Sequence, residues 1–146
     1  MHEFTIKGNQ GFIRIELKNA NGFPKNTSHF GGYDAKGIVE IQSGNYYVLG
    51  ELWFTTGEVY EFYKQVDHCY KNLKGEAVFW NYEASLKIEV KFYQLGKVVL
   101  QGYYKEQAHL ENELQFEIES DQTFLSSTIE DLKRFVDHYG DLKGVK

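Results

Sequence analysis

The sequence predicts an α+β fold: about eight strands in mostly antiparallel sheet and two amphipathic helices, in the order ββββα-ββββα. Three observations carry that expectation. Apolar and charged residues alternate with period two in segment after segment, which marks antiparallel sheet with one dry and one wet face. Two longer stretches switch to the i, i+3, i+4, i+7 spacing of a helix with one buried face. Aromatic residues make up 16% of the chain, with 11 Tyr and 11 Phe, a composition that suits packed strands and opposes disorder.

Taken in order, His2–Lys7 and Phe12–Lys18 read as strands around the turn Gly8-Asn9-Gln10-Gly11. In the second of them Ile13, Ile15 and Leu17 point one way and Arg14, Glu16 and Lys18 the other. Residues 19–35 form the longest irregular segment and hold the only proline, Pro24; a loop of this length in a compact domain is often functional. Strands at Lys36–Gln42 and Tyr46–Phe54 follow, joined at Ser43-Gly44-Asn45.

The first helix is expected at about 56–73. Thr55-x-x-Glu58 fits a capping box, in which hydroxyl and carboxylate each accept from the other residue's backbone N–H. Val59, Phe62, Tyr63, Val66, Cys69, Tyr70 and Leu73 then share one face, and Gly75 is the expected stop. Cys69 falls on that face near the C-terminal end, where the helix dipole disfavours a thiolate, so it reads as an inert core residue.

The second half repeats the order. Ala77–Tyr82, Ala84–Tyr93, Lys97–Lys105 and Leu110–Glu119 read as a meander with turns near Tyr82-Glu83, Leu95-Gly96 and Glu106–His109. A helix at about 121–139 carries Leu125, Ile129, Leu132, Phe135, Val136 and Tyr139 on one face. Its start is placed at Ser120 or Asp121 rather than at the second capping-box match, Ser127-Thr-Ile-Glu130, because Phe124 and Leu125 extend the apolar face. Val59, Phe62, Val66, Phe135 and Val136 are expected to be buried. Trp53 and Trp80 are expected as core anchors, and Tyr46-Tyr47 and Tyr103-Tyr104 as pairs with one ring inside and one outside. The repeated element order is compatible with internal duplication. The recurrence of Val66-Asp67-His68 as Val136-Asp137-His138 is no evidence for it, since chance yields on the order of one repeated tripeptide in such a chain.

The block from Gly50 to Gly75, with Ser43-Gly44-Asn45-Tyr46-Tyr47-Val48 and Tyr139-Gly140-Asp141-Leu142-Lys143-Gly144, resembles the WapI-type immunity proteins. These are small bacterial proteins encoded beside contact-dependent polymorphic toxins of the WapA kind. The resemblance covers nearly the whole chain, and the residues that carry it look structural. It therefore implies a role, binding and neutralising a cognate toxin domain without catalysis, and assigns no catalytic residue and no cofactor.

Composition bounds the alternatives. A chain of 146 residues suits one domain, 1–146, able to bury roughly 70% of its unfolded surface without disulfide or metal. The N-terminus lacks an apolar leader core, no apolar run approaches the roughly 18 residues of a membrane span, and there is one cysteine; a cytoplasmic protein is the simplest expectation. The net charge of −5 is unevenly placed, because residues 1–75 balance eight acids with eight bases while 76–146 carry thirteen acids and eight bases. No Lys or Arg occurs between Lys105 and Lys133, an interval holding Glu106, Glu111, Glu113, Glu117, Glu119, Asp121, Glu130 and Asp131. Direct binding to nucleic acid or to an anionic membrane is thereby disfavoured.

No His pair has zincin spacing and no cysteine pair exists, so no metal site is expected. Gly31-Gly32 precedes a strand rather than following one, which opposes phosphate cradling. What remains is the acidic run. Alternation sets Glu113, Gln115, Glu117 and Glu119 on one wet face, and Glu111, Glu113, Glu117, Glu119 and Asp121 are the candidate partner-binding residues. The same run read blandly is a solvated surface that discourages aggregation at a sheet edge. The alternative function is a small-ligand module with an aromatic-lined pocket between sheet and helices.

Overall fold

A computed structural model describes residues 2–145. It contains eight strands and two α-helices in the predicted order: β1 His2–Lys7, β2 Gly11–Asn21, β3 Asp34–Ser43, β4 Tyr46–Thr55, α1 Thr56–Asn72, β5 Gly75–Trp80, β6 Leu86–Phe92, β7 Lys97–Tyr104, β8 Leu114–Asp121 and α2 Gln122–Tyr139. The strands form two four-stranded meanders, β1-β2-β3-β4 and β5-β6-β7-β8, antiparallel throughout. The class is α+β.

Each sheet runs straight into a helix, and local chemistry fixes both junctions. Thr55 caps α1, its hydroxyl accepting from Glu58 N at 3.1 Å while the Glu58 carboxylate accepts from Thr55 N at 2.7 Å. Asp121 caps α2 by accepting from Thr123 N at 2.8 Å, so the box at Ser127 lies inside the helix. At the far end of α1 the left-handed residue is Leu73, with φ 52°, and not a glycine. Gly75 instead opens β5 at φ 105°, where an added Cβ would come within 3.1 Å of Cys69 Sγ.

Each helix packs against the edge strand of one sheet. Helix α1 packs on β5 and α2 packs back on β1, with the two helices also in contact. Gln65 Oε1 accepts from Val78 N at 2.9 Å. Asp131 accepts from Thr5 N at 3.2 Å and Thr128 Oγ1 donates to Thr5 O at 2.8 Å. The outer edge of β8 is met at Glu117 and Glu119 by the β1–β2 turn, through Asn9 N to Glu119 O at 2.7 Å and Gln10 Nε2 to Glu117 O at 3.0 Å. Side chains thus occupy strand edges that would otherwise template another strand.

One cluster of buried side chains draws on both sheets and both helices. At its centre Phe62 of α1 lies 6.0 Å from the Phe4 ring and 5.8 Å from Phe79, and Phe4 also meets Phe135 edge-on. Phenylalanines from both sheets and both helices thus pack together at this centre. Val59, Phe62, Val66, Cys69 and Phe135 are buried as expected. Val136 is only half-buried, because the stripe on α2 centres on Leu125, Thr128, Leu132, Phe135 and Tyr139 and leaves Ile129 and Val136 on its flank. Val66 sits mid-helix and Val136 in a final turn, so the repeated tripeptide occupies unlike positions.

The segment between β2 and β3 is shorter than expected, since both strands extend into it. Tyr33 pins it: its hydroxyl donates to Pro24 O at 2.8 Å and accepts from Val145 N at 3.0 Å. Gly57 permits close packing there, because a Cβ on it would collide with Gly31 O and stand 2.9 Å from the Leu142 side chain. Gly31-Gly32 and the C-terminal Asp141–Gly144 turn thus serve this junction, with Gly32 N donating to Leu142 O at 2.7 Å.

Candidate partner-binding surface

The strand registers place side chains on the outer face of the second sheet in three rows. They run Glu76–Lys91–Val99–Glu119, Val78–Glu89–Gln101–Glu117 and Trp80–Lys87–Tyr103–Gln115. Glu117 and Glu119 stand exposed on this face, as alternation in β8 requires once Phe116, Ile118 and Ser120 turn inward. Glu117 accepts from Gln101 Nε2 at 3.2 Å.

The other three predicted residues are placed differently. Strand β8 begins at Leu114, so Glu111 and Glu113 belong to the exposed connection from β7 and share no strand face. Glu113 lies beside the platform and accepts from Gln115 Nε2 at 2.8 Å. Asp121 spends its carboxylate on the α2 cap, whose hydrogen bonds hold its pKa below the usual range. The run that is continuous in sequence is also diluted in space, since Lys91 of β6 sits in the row of Glu119 and Lys87 in that of Gln115.

The outer face of the first sheet pairs its own charges. Arg14 donates to Glu16 at 2.8 Å, Glu40 at 2.9 Å and Glu3 at 3.1 Å. The Glu16 carboxylate is only 5% exposed, and the Arg14 guanidinium beside it holds its carboxyl below the ordinary value against the cost of burial.

Both tryptophans contradict the expectation that they anchor the core. Trp53 is 37% and Trp80 52% exposed. Alternation itself explains this: Leu52 and Phe54 take the inner face of β4 and Ala77 and Phe79 that of β5, leaving each tryptophan on the other side. Lys36 Nζ stands 5.2 Å from the Trp53 ring and Lys87 Nζ 4.9 Å from that of Trp80. Tyr46 and Tyr47 are likewise both exposed, whereas in the other pair Tyr104 is buried and Tyr103 only partly so. Aromatic exposure is the signal that composition alone misses.

Near Trp80, Phe30 stacks on Tyr82 at 5.1 Å and 6°. Beneath them a surface hollow of about 230 Å³ is lined by Phe30, Glu58, Glu61, Gln65, Trp80 and Leu142, among others. Burial raises the Glu58 carboxyl to about 7, against the opposing hydrogen bonds from the Thr55 and Tyr82 backbone. Elsewhere His2 and His138 stack at 4.1 Å. Among the described residues no group of three or more His, Cys, Asp or Glu side chains is placed to hold a metal ion, and no helix is long and apolar enough to cross a membrane.

The architecture coincides with a family match. The model of the immunity protein WapI-like family matches residues 4–140, from β1 to the end of α2. This chain belongs to the WapI-like immunity protein family. No curated protein matches it. Membership confers the general role of an immunity protein, neutralising a toxin, and implies a toxin protein as the kind of partner. The C-terminal turn, which packs on the α1 N-terminus, lies beyond the matched span.

Proposed function

We propose that this chain is a non-catalytic immunity protein of the bacterial cytoplasm that binds one cognate toxin domain and blocks it, acting as one domain over 1–146. The observation that carries the reading is the family match across both sheets and both helices. Exposed aromatics beside carboxylates supply what a protein interface uses: large rings as anchors and charges that steer encounter. A basic nuclease is the toxin class that the acid excess of the second half suits best, because such a partner carries a positive phosphate-binding surface.

The test is co-expression with the toxin domain encoded beside this chain. Restored growth supports the reading, and undiminished toxicity at equal expression refutes it.

Within that reading Glu113, Glu117 and Glu119 form part of the toxin-facing surface, flanked by Glu111 and by Asp121 at the α2 cap. Individually exposed charges contribute little affinity, so their signature is kinetic. Reversing Glu113 and Glu117 to Lys is expected to slow association on the order of tenfold at low salt and to flatten its salt dependence, with folding little changed. Stopped-flow mixing measures it; an unchanged rate and salt slope would make this face ordinary solvated surface.

A further inference from the structure

Helix or turn groups hydrogen-bond to the outer edges of β1, β5 and β8, whereas the β4 edge is bonded only over its later half. In the β3–β4 hairpin Ser43 pairs with Tyr46 across the two-residue loop Gly44-Asn45. That register directs the peptide groups of Tyr46, Val48, Gly50 and Leu52 toward β3 and those of Tyr47, Leu49, Glu51 and Trp53 away from it. Contacts on the outward set bear out the parity. Glu51 N donates to Glu106 at 2.7 Å, Tyr104 Oη donates to Glu51 O at 2.5 Å, and Asn81 Nδ2 donates to Trp53 O at 2.9 Å. Among the described residues the outward N–H and C=O of Tyr47 and Leu49 have no partner.

Side chains at this open stretch lack the usual safeguards. An exposed edge is ordinarily guarded by lysine, proline, a bulge or a cover, yet here Tyr47 and Leu49 are each 54% exposed. Beside them runs a groove of about 360 Å³ whose far wall includes Tyr104, Glu106, Asn112, Glu113 and Leu114. Glu40, which accepts from the Tyr47 hydroxyl, and Glu51 add carboxylates on the strand side. The β7–β8 connection contributes to that wall with no Lys or Arg beyond Lys105.

We propose that the open edge of β4 at Tyr47–Leu49 pairs with an extended, basic segment of the toxin domain, which adds a short strand to the first sheet. Two N–H donors and two carbonyl acceptors fix its register. Tyr47 and Leu49 pack against its alternate side chains, and its Lys or Arg residues meet Glu106 and Glu113 across the groove. The inference rests on the immunity reading and names where that partner sits.

The experiment uses the toxin domain encoded beside this chain, in catalytically dead form, with residue-resolved hydrogen exchange on the free chain and on the complex. The amides of Tyr47 and Leu49 are expected to exchange rapidly in the free chain and at least tenfold more slowly in the complex, while Val48 and Gly50 are slow in both. A paired substitution isolates the backbone. Leu49→Pro removes one outward N–H and spares the β3 ladder, whereas Leu49→Ala removes the side chain alone. Leu49→Pro, with its fold checked by circular dichroism, is expected to bind on the order of tenfold more weakly than Leu49→Ala. Tight binding with no added protection at Tyr47 and Leu49 overturns the edge proposal and leaves the immunity reading standing. Protection already present in the free chain, with a dimer in sedimentation, assigns the edge to a second copy and also overturns it. Absence of any binding by the unaltered chain overturns both readings together.

Discussion

Phe62→Ala is expected to destabilise the fold by about 3–5 kcal/mol, the usual cost of emptying a fully buried aromatic site. The ring is buried and touches Phe4 of β1 and Phe79 of β5, so its removal loosens the packing between the two halves of the chain as well as α1. Neighbouring rings cannot collapse into the void without leaving their own contacts with Phe54 and Phe135. Urea unfolding checks this. A loss under about 0.5 kcal/mol would mean that the helix does not present this face to the core.

Glu58→Gln is expected to stabilise the protein by about 1–2 kcal/mol at pH 8 and to have little effect at pH 4. The folded carboxyl titrates at about 7, above its ordinary value of 4.5, because burial disfavours the charged form. The folded state therefore holds this proton more tightly than the unfolded chain does. Its stabilising contribution is complete below about 4.5 and is lost as pH rises through 7. Glutamine never ionises and keeps an oxygen to accept from Thr55 N, so it escapes that loss. A tenfold change in proton affinity corresponds to roughly 1.4 kcal/mol, and the expected gain is held to about half of the full conversion because water still reaches part of the group. Urea unfolding of both proteins at the two pH values measures it. An effect equal at pH 4 and pH 8 would show that the substitution acts through the cap alone.

Much of this architecture is legible in the sequence because it is local. The Thr55 box and the Asp121 cap are written within a few residues, and the strands of the first sheet declare their inner faces by alternation. Placement across strands is not legible. Nothing in the run from Glu106 to Asp121 says that Lys91 lies in the row of Glu119 and Lys87 in that of Gln115, since the β6–β7–β8 register brings them there. Alternation carried back to Leu110 puts Glu111 and Glu113 on a strand that starts only at Leu114. Size alone assigns the tryptophans to the core, although alternation beside Leu52, Phe54 and Phe79 already turns them outward. Leu73 ends α1 in a conformation that glycine ordinarily supplies, and no local signal marks it.

Edges are the least legible feature. The closure of β1 by Thr128 and Asp131, and of β5 by Gln65, depends on residues that read as polar flank positions of a helix. Only in three dimensions does the unguarded stretch at Tyr47–Leu49 stand out.

The central claim is neutralisation by binding rather than by chemistry, and stoichiometry tests it most directly. Purified chain is titrated into a fixed amount of the cognate toxin domain while residual toxin activity and complex mass are followed. Inhibition that is linear to one equivalent, complete there, and accompanied by a 1:1 complex from which active toxin can be recovered is the predicted result. Full and lasting inactivation by a small fraction of an equivalent would contradict it, because a single chain would then be silencing many toxin molecules in turn.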